Sequence, residues 1–325
     1  MSDNATQDES AFRRFSILLI ATFFSILAVA GIVILVFDPY DSGRLPTFMP
    51  AGVSDQSPRT ANVSRGRDPQ FNAAIFGNSH MQLLNPSILS SLSKLRFVQL
   101  TAPGTGVREQ MATLGWFLRH HPEADTLVLG IDSFWCTQSD NFAVPNPFPF
   151  WLYGDMAGFL AHSLESRAFA LIWRRLLVAA GRLVRTDPAG YWDYEIDREW
   201  NYHPEIKDWP IVDLSPREQP GRSFPALDFL ERSTVDAGFR GKIVFVMPPL
   251  FRAVLPEPDS TDALDIKACK AEVVRRIRRR PGSIFIDFLK DTPMNRDPRN
   301  YMDAQHYRAP IARRMEREIA AAITK

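Results

Sequence analysis

The sequence predicts an α/β protein: a doubly wound parallel sheet of five strands with a long insertion, preceded by one transmembrane helix. Three observations predict it. Residues 16–37 form an uncharged apolar run. Short, mainly apolar segments then alternate with amphipathic helical stretches, the pattern of a parallel sheet covered on both faces. Polar, glycine-containing phrases follow the segments read as strands, where open parallel sheets bind their ligands.

From Ser16 to Phe37 the chain is dominated by Ile, Leu, Val, Phe and Ala, enough at helical rise to cross roughly 30 Å of hydrocarbon. The run is longer than the usual signal-peptide core, and no small-x-small cleavage site follows it before Asp38-Pro39, so an uncleaved anchor is expected. Arg13 and Arg14 precede the span and only Arg44 follows closely. The positive-inside bias therefore keeps residues 1–15 cytoplasmic and exports the rest, giving a single-pass protein of the cytoplasmic membrane. Residues 38–70, rich in Pro, Ser, Gly, Asp and Arg, read as a flexible linker.

The domain is expected from Phe71 to the end, over 71–325. Its strand candidates are Ala73–Phe76, Phe97–Leu100, Thr126–Ile131, Lys242–Met247 and Ile284–Phe288. Asn85-Pro86 supplies a cap and a first-turn proline for the helix after the first strand. Further helices are expected over Val107–Arg119, Phe224–Val235, Asp262–Arg279 and Arg308–Ile323. The stretch 136–220 interrupts the alternation and reads as a cap, with a helix over Ala157–Val184 and five tryptophans, Trp151, Trp173, Trp192, Trp200 and Trp209. Most of these aromatics are expected to pack the cap onto the sheet; a few, near Asp193, Tyr202 and His203, would stack on sugar rings or meet the membrane surface.

Thirty-eight basic residues against thirty-seven acidic ones leave no field that would draw the protein to nucleic acid. The basic run Arg275–Arg280, with Lys267 and Lys270, reads as a solvated helix face. Cys136 and Cys269 are too few for a disulfide framework and lack the spacing of a zinc site, so no metal or other cofactor is expected. Sequence does not fix whether the two pair, and the balance falls on two free thiols.

Three phrases carry chemistry. Gly77-Asn78-Ser79-His80 follows the first strand: the glycine permits a tight exit, and the serine is presented with its own amide available to an oxyanion. Gly104 and Gly106 follow the second strand. Asp303-Ala304-Gln305-His306 precedes the last helix. A serine hydroxyl needs an imidazole to take its proton, and the imidazole needs a carboxylate to fix its tautomer; His306 and Asp303 supply both. His80 is expected to enter the following helix and point away from Ser79.

This arrangement resembles the SGNH/GDSL hydrolase superfamily over residues 71–135 and 221–325, with Gly77-Asn78-Ser79 as the serine block, Gly104 or Gly106 as the second-block glycine, and Asp303 and His306 as the last block. The resemblance implies a flavodoxin-like fold and an oxyanion hole built from Ser79, Gly104 or Gly106, and Asn78. The third block departs from the pattern, because Gly130-Ile131-Asp132-Ser133 places Asp132 where the family has an asparagine. An ionised carboxylate there would repel an oxyanion, so Asp132 is expected to be protonated or turned toward a cation such as Arg108, unless the hole is built without it. In plan the chain is most similar to the membrane-anchored exported members, those of D-alanyl-lipoteichoic acid biosynthesis and of alginate O-acetylation. That similarity implies serine-dependent transfer of an O-acyl or O-acetyl group onto a cell-envelope glycan, beside a membrane-bound O-acyltransferase partner. Esterase or deacetylase action on a glycan or small ester is the alternative within catalysis. A catalytically silent glycan-binding scaffold, favoured by Asp132, is the alternative outside it.

Overall fold

The computed structural model describes residues 2–54, 57–196 and 198–325. The chain opens with helices α1 (Ser2–Phe37) and α2 (Pro58–Gly66), followed by β1 (Ala73–Phe76), α3 (Pro86–Ser93), β2 (Phe97–Gln99), α4 (Val107–His120) and β3 (Thr126–Gly130). Three helices, α5 (Phe150–Tyr153), α6 (Met156–His162) and α7 (Ser166–Ala179), come before α8 (Pro225–Asp236). The remainder is β4 (Lys242–Met247), α9 (Thr261–Ile277), β5 (Ile284–Asp287), α10 (Pro293–Arg296) and α11 (Ala309–Ile323).

The five strands form one sheet in the order β2-β1-β3-β4-β5, every pair parallel. Because side chains alternate along a strand, Ala74 and Phe76 enter one core with Leu114 and Phe117 of α4, Leu227 of α8 and Val273 of α9. Ala73 and Ile75 enter another with Leu89 of α3 and Ile311, Met315 and Ile319 of α11. Helices therefore cover both faces, which is why the strands are apolar throughout. From β1 the chain moves outward to β2, then crosses back over β1 to β3. The carboxyl ends of β1 and β3 thus flank the point where the winding reverses, the crevice in which such sheets bind ligands.

Helix α1 contains the apolar segment Ala11–Phe37, the one helix among the described residues long and apolar enough to cross a membrane. Apart from residues 55 and 56, which lie outside the described residues, the stretch expected to be a flexible linker is packed. Every residue from Thr60 to Gly66 of α2 is buried, and the Trp116 indole of α4 donates to the Val63 carbonyl at 2.9 Å. Asp41, 2% exposed, accepts from the Gly52 amide and the Ser64 hydroxyl, each at 2.6 Å, and from Arg67. The composition is polar, but the polar groups satisfy one another instead of water.

Three further expectations are corrected. The single helix over 157–184 is two, because Glu165 is extended at the start of α7 and its carboxylate accepts from the Tyr40 hydroxyl. The basic run is not simply a solvated face: Lys270 is fully buried and donates to Asp287 (2.9 Å) and to the Leu289 carbonyl (2.6 Å), while Arg276 pairs with Asp228, Glu231 and Glu272. Cys136 and Cys269 form a disulfide, with Cα atoms 5.4 Å apart across 133 residues. Helix α9 covers the face from which β3 exits, so both cysteines fall into one core. Closing so long a loop restricts the unfolded chain, so replacing both cysteines by serine should lower stability by about 2–4 kcal/mol. Unfolding of the two forms in lipid nanodiscs measures this, and the parent should show no free thiol when denatured without reductant.

Candidate active site

At the end of β1 the backbone turns through Gly77 at φ +146°, a conformation that side chains disfavour, and a Cβ there would lie 2.6 Å from Met81 Cγ. Gly130, at the end of β3, is approached by the same methionine. Two glycines thus seat Met81 between the strand ends and pin the short 3-10 turn Ser79–Met81 that begins with the serine. The Asn78 side chain caps this turn by accepting from the His80 amide at 3.1 Å.

The second half comes from the loop before α11. An isolated antiparallel bridge between Tyr301 and Tyr307, both fully buried, closes this loop, and the Met302 amide donates to the His306 carbonyl at 2.7 Å. Asp303 accepts from the amides of Gln305 (2.8 Å) and His306 (2.9 Å) and from the His306 ring, whose Nδ1 lies 2.8 and 2.9 Å from its two oxygens. Burial pushes the Asp303 carboxyl up, but the Gln305 amide, the imidazole and the His306 amide together bring it below the usual carboxylate range. With Nδ1–H committed to Asp303, Nε2 is the acceptor for the Ser79 hydroxyl, 2.9 Å away. Ser79, His306 and Asp303 therefore form a continuous hydrogen-bonded relay.

The other residues singled out by sequence are placed less uniformly. Asp132 does not turn toward Arg108, whose guanidinium stacks 5.5 Å from the Phe150 ring centroid. Instead its carboxylate accepts from the Asn78 side-chain amide and from the Phe134 amide (2.9 Å). Burial raises its pKa to about 6 against the pull of those donors. Asn78 is thereby held at both ends, by Asp132 and by the His80 amide. The Gly106 amide donates to Glu109 Oε2 at 3.3 Å as the start of α4, which uses its one N–H and leaves Gly104 as the second-block candidate. Gly104 sits in a left-handed turn (φ +62°) whose carbonyl accepts from Asn146.

His80 does not point away. Its ring centroid lies 5.8 Å from that of His306, and its buried Nδ1 has no protein partner. It lines a cleft of about 690 Å³ together with Ser133, Phe134, Gln138 and Gln305. A recess of about 60 Å³ continues inward between His80, Asp132, Met247, Pro248, Leu250 and Leu289. Among the described residues no three of His, Cys, Asp and Glu converge as a metal site.

Sequence reasoning missed how the stretch 136–220 serves the site. The Tyr194 hydroxyl donates to the Tyr307 carbonyl (2.7 Å), and its ring stands edge-on to His306 with centroids 5.8 Å apart. The Trp200 indole donates to the Tyr301 carbonyl (2.8 Å). Glu195 accepts from Arg308 (2.6 Å) and from the Ala309 amide (2.7 Å), an anion at the amino end of α11. Both ends of the histidine loop are thus held from outside the sheet domain. The cluster of Trp and Tyr before residue 203 was the available signal, but nothing in its spacing names the partner loop.

No protein-family model matches the chain, and no curated protein matches it.

Burial sets two opposite pH dependences. His80 is lowered to about 4, by burial first and by the nearby His306 second, whereas an unfolded histidine titrates near 6.5. Stability contributed by neutral His80 is therefore lost as pH falls from 6.5 through 4. Asp132 is raised, so its stability contribution is present below the unfolded value of 3.8 and lost as pH rises through about 6. Relative to the parent, His80→Gln should gain stability toward pH 4 and Asp132→Asn toward pH 7, each by at most about 3 kcal/mol. Unfolding of the three proteins across a pH series checks both slopes; parallel curves would contradict the assignment.

Proposed function

We propose that the protein is an SGNH-type serine enzyme, exported behind its N-terminal anchor, that transfers an O-acyl or O-acetyl group onto a cell-envelope glycan. One observation carries the reading: the Ser79–His306–Asp303 relay stands at the carboxyl edge of a parallel sheet, beside the point where the winding reverses. The strand order and the split of helices between two faces support the SGNH resemblance, with 136–220 as an insertion. That insertion braces the histidine loop.

In the proposed reaction Ser79 Oγ attacks an acyl carbonyl as His306 Nε2 takes its proton, and Asp303 holds the imidazole in the required tautomer. The oxyanion lies against the Ser79 amide, with the Gly104 amide and the Asn78 side chain as further donors. Asn78 is suited to this because Asp132 engages one N–H of its amide group and leaves the second. Collapse of the intermediate expels the donor, which takes the proton from His306 as it leaves, and acyl-Ser79 remains. A sugar hydroxyl, deprotonated by His306, then attacks the acyl carbonyl, and His306 returns that proton to Ser79 Oγ as it is expelled. A membrane-bound O-acyltransferase would be the donor-side partner, a role proposed from the resemblance alone.

Because the three residues act as a unit, Ser79→Ala and His306→Ala should each reduce activity on a short-chain aryl ester to background. The double variant should be no worse than either, and Asp303→Asn should retain slightly more. Cell-surface glycans from cells carrying Ser79→Ala should lose ester content as completely as cells lacking the gene. A His306→Ala variant that keeps its activity while His80→Ala loses it would transfer the base to the wrong histidine and refute the mechanism.

A second prediction concerns topology. With Arg13 and Arg14 holding residues 1–15 inside, protease added to spheroplasts should remove the domain; protection until the membrane is lysed would place it in the cytoplasm.

A further inference from the structure

We propose that α6 and α7 lie in the headgroup layer of the membrane that α1 crosses, so that the domain rests on the bilayer with one fixed face down. The inference depends on α1 being a membrane span. Length is the first argument. Arg13 and Arg14 mark the cytoplasmic boundary, and the roughly 20 residues that cover about 30 Å of hydrocarbon, counted from Phe15, end at Ile34. The last turn of α1, up to Phe37, therefore emerges on the far side. Burial changes at that level: Val29 is 61% exposed, whereas Ile34 is 1% exposed. Ile34 and its neighbours Val33, Leu35 and Phe37 share a core with Phe159 of α6 and Leu171 and Ile172 of α7. The two helices pack on this last turn, at the depth of the lipid headgroups.

The attachment is also polar. Arg175, 3% exposed on α7, donates to the Phe37 carbonyl (3.1 Å) and to the Asp38 carbonyl at the end of α1, and to the Pro50 carbonyl (2.7 Å). A guanidinium at a helix carboxyl end satisfies carbonyls that lack helical partners and opposes the negative end of the dipole. Buried Asp41 lies 3.4 Å from the same group.

Part of what remains uncovered is apolar. Helix α7 buries the stripe Ala168, Leu171, Ile172 and Arg175, yet carries a second apolar row on Phe169 and Trp173, 42% and 63% exposed and one turn apart. Leu160 of α6 and Leu164 beside it are also exposed. A helix on a water-facing surface needs one apolar stripe. A second one, bearing a tryptophan beside an emerging span, suits the interfacial layer, where an indole meets both headgroups and chain ends. Phe48, 71% exposed with its ring 5.4 Å from Phe37, adds an aromatic at the same end of α1.

The test uses the full chain in vesicles of phosphatidylethanolamine and phosphatidylglycerol. Trp173→Cys carries an environment-sensitive fluorophore, and lipids spin-labelled near the headgroup act as quenchers; the native cysteines are bridged and do not react. Val235→Cys, on an exposed position of α8, is the aqueous control, and Ala21→Cys within α1, read with a lipid spin-labelled along its acyl chain, reports on the span. For a group in the interfacial layer the quencher should lower emission at 173 by about twofold or more and leave 235 unchanged. Leu164→Cys, expected to respond as 173 does, stands in if Trp173→Cys does not fold. Quenching at 21 with none at 173 or 164 overturns this proposal alone, and the same result is expected if the face is reserved for a second protein. Absence of quenching at 21 overturns the membrane span and the proposal with it.

Discussion

The hydrogen bond between Ser79 and His306 joins groups 227 residues apart, and the surrounding structure keeps two loops in register for it. On the serine side, the constraint is steric: Gly77 and Gly130 leave room for Met81, and Met81 fixes the turn that displays Ser79. On the histidine side it is a web of hydrogen bonds, with the Tyr301–Tyr307 bridge closing the loop, Tyr194 and Trp200 donating to its two ends, and the Phe251 amide donating to Ala304 at 3.1 Å. Parallel strands bring all these segments to one edge. Without that edge neither loop would find the other.

The polar groups around the relay differ in how they tolerate burial. Asp303 is stabilised as an anion by two amides and an imidazole, which overcome its desolvation. Asp132 has donors too, but burial outweighs them and the carboxyl titrates at about 6. An acid at that position need not oppose an oxyanion if it spends its charge on Asn78. On the proposed mechanism, Asp132 is then a positioning residue that hands the oxyanion-stabilising role to the neighbouring amide.

Much of this arrangement was legible in sequence because it follows from local rules. Apolar runs of strand length gave all five strands, with ends shifted by one residue at Leu100, Ile131 and Phe288, and Asn85-Pro86 marked the start of α3. The meeting of Ser79, His306 and Asp303 was legible because a serine after the first strand and Asp-x-x-His before the last helix have few reasons to coexist. What escaped depended on contacts between distant segments. The polar stretch 38–70 looked like a tether because composition does not reveal that Asp41 gathers Arg67, Ser64 and Gly52 around itself. The Cys136–Cys269 bridge depended on how α9 lies over the end of β3, and the inward turn of His80 on a short 3-10 turn where a longer helix was expected. Glu195, Tyr194 and Trp200 could not be assigned from sequence, since their partners are backbone groups more than 100 residues away.

The central claim is that Ser79 is a nucleophile activated by His306. The most direct measurement is to expose the intact membrane-anchored protein to a fluorophosphonate and map the adduct by peptide mass spectrometry. The account predicts a single phosphonylated site at Ser79, with modification lost in Ser79→Ala and slowed to background in His306→Ala. An intact protein that takes up no label, or one whose Ser79 reacts equally fast without the His306 imidazole, would contradict it.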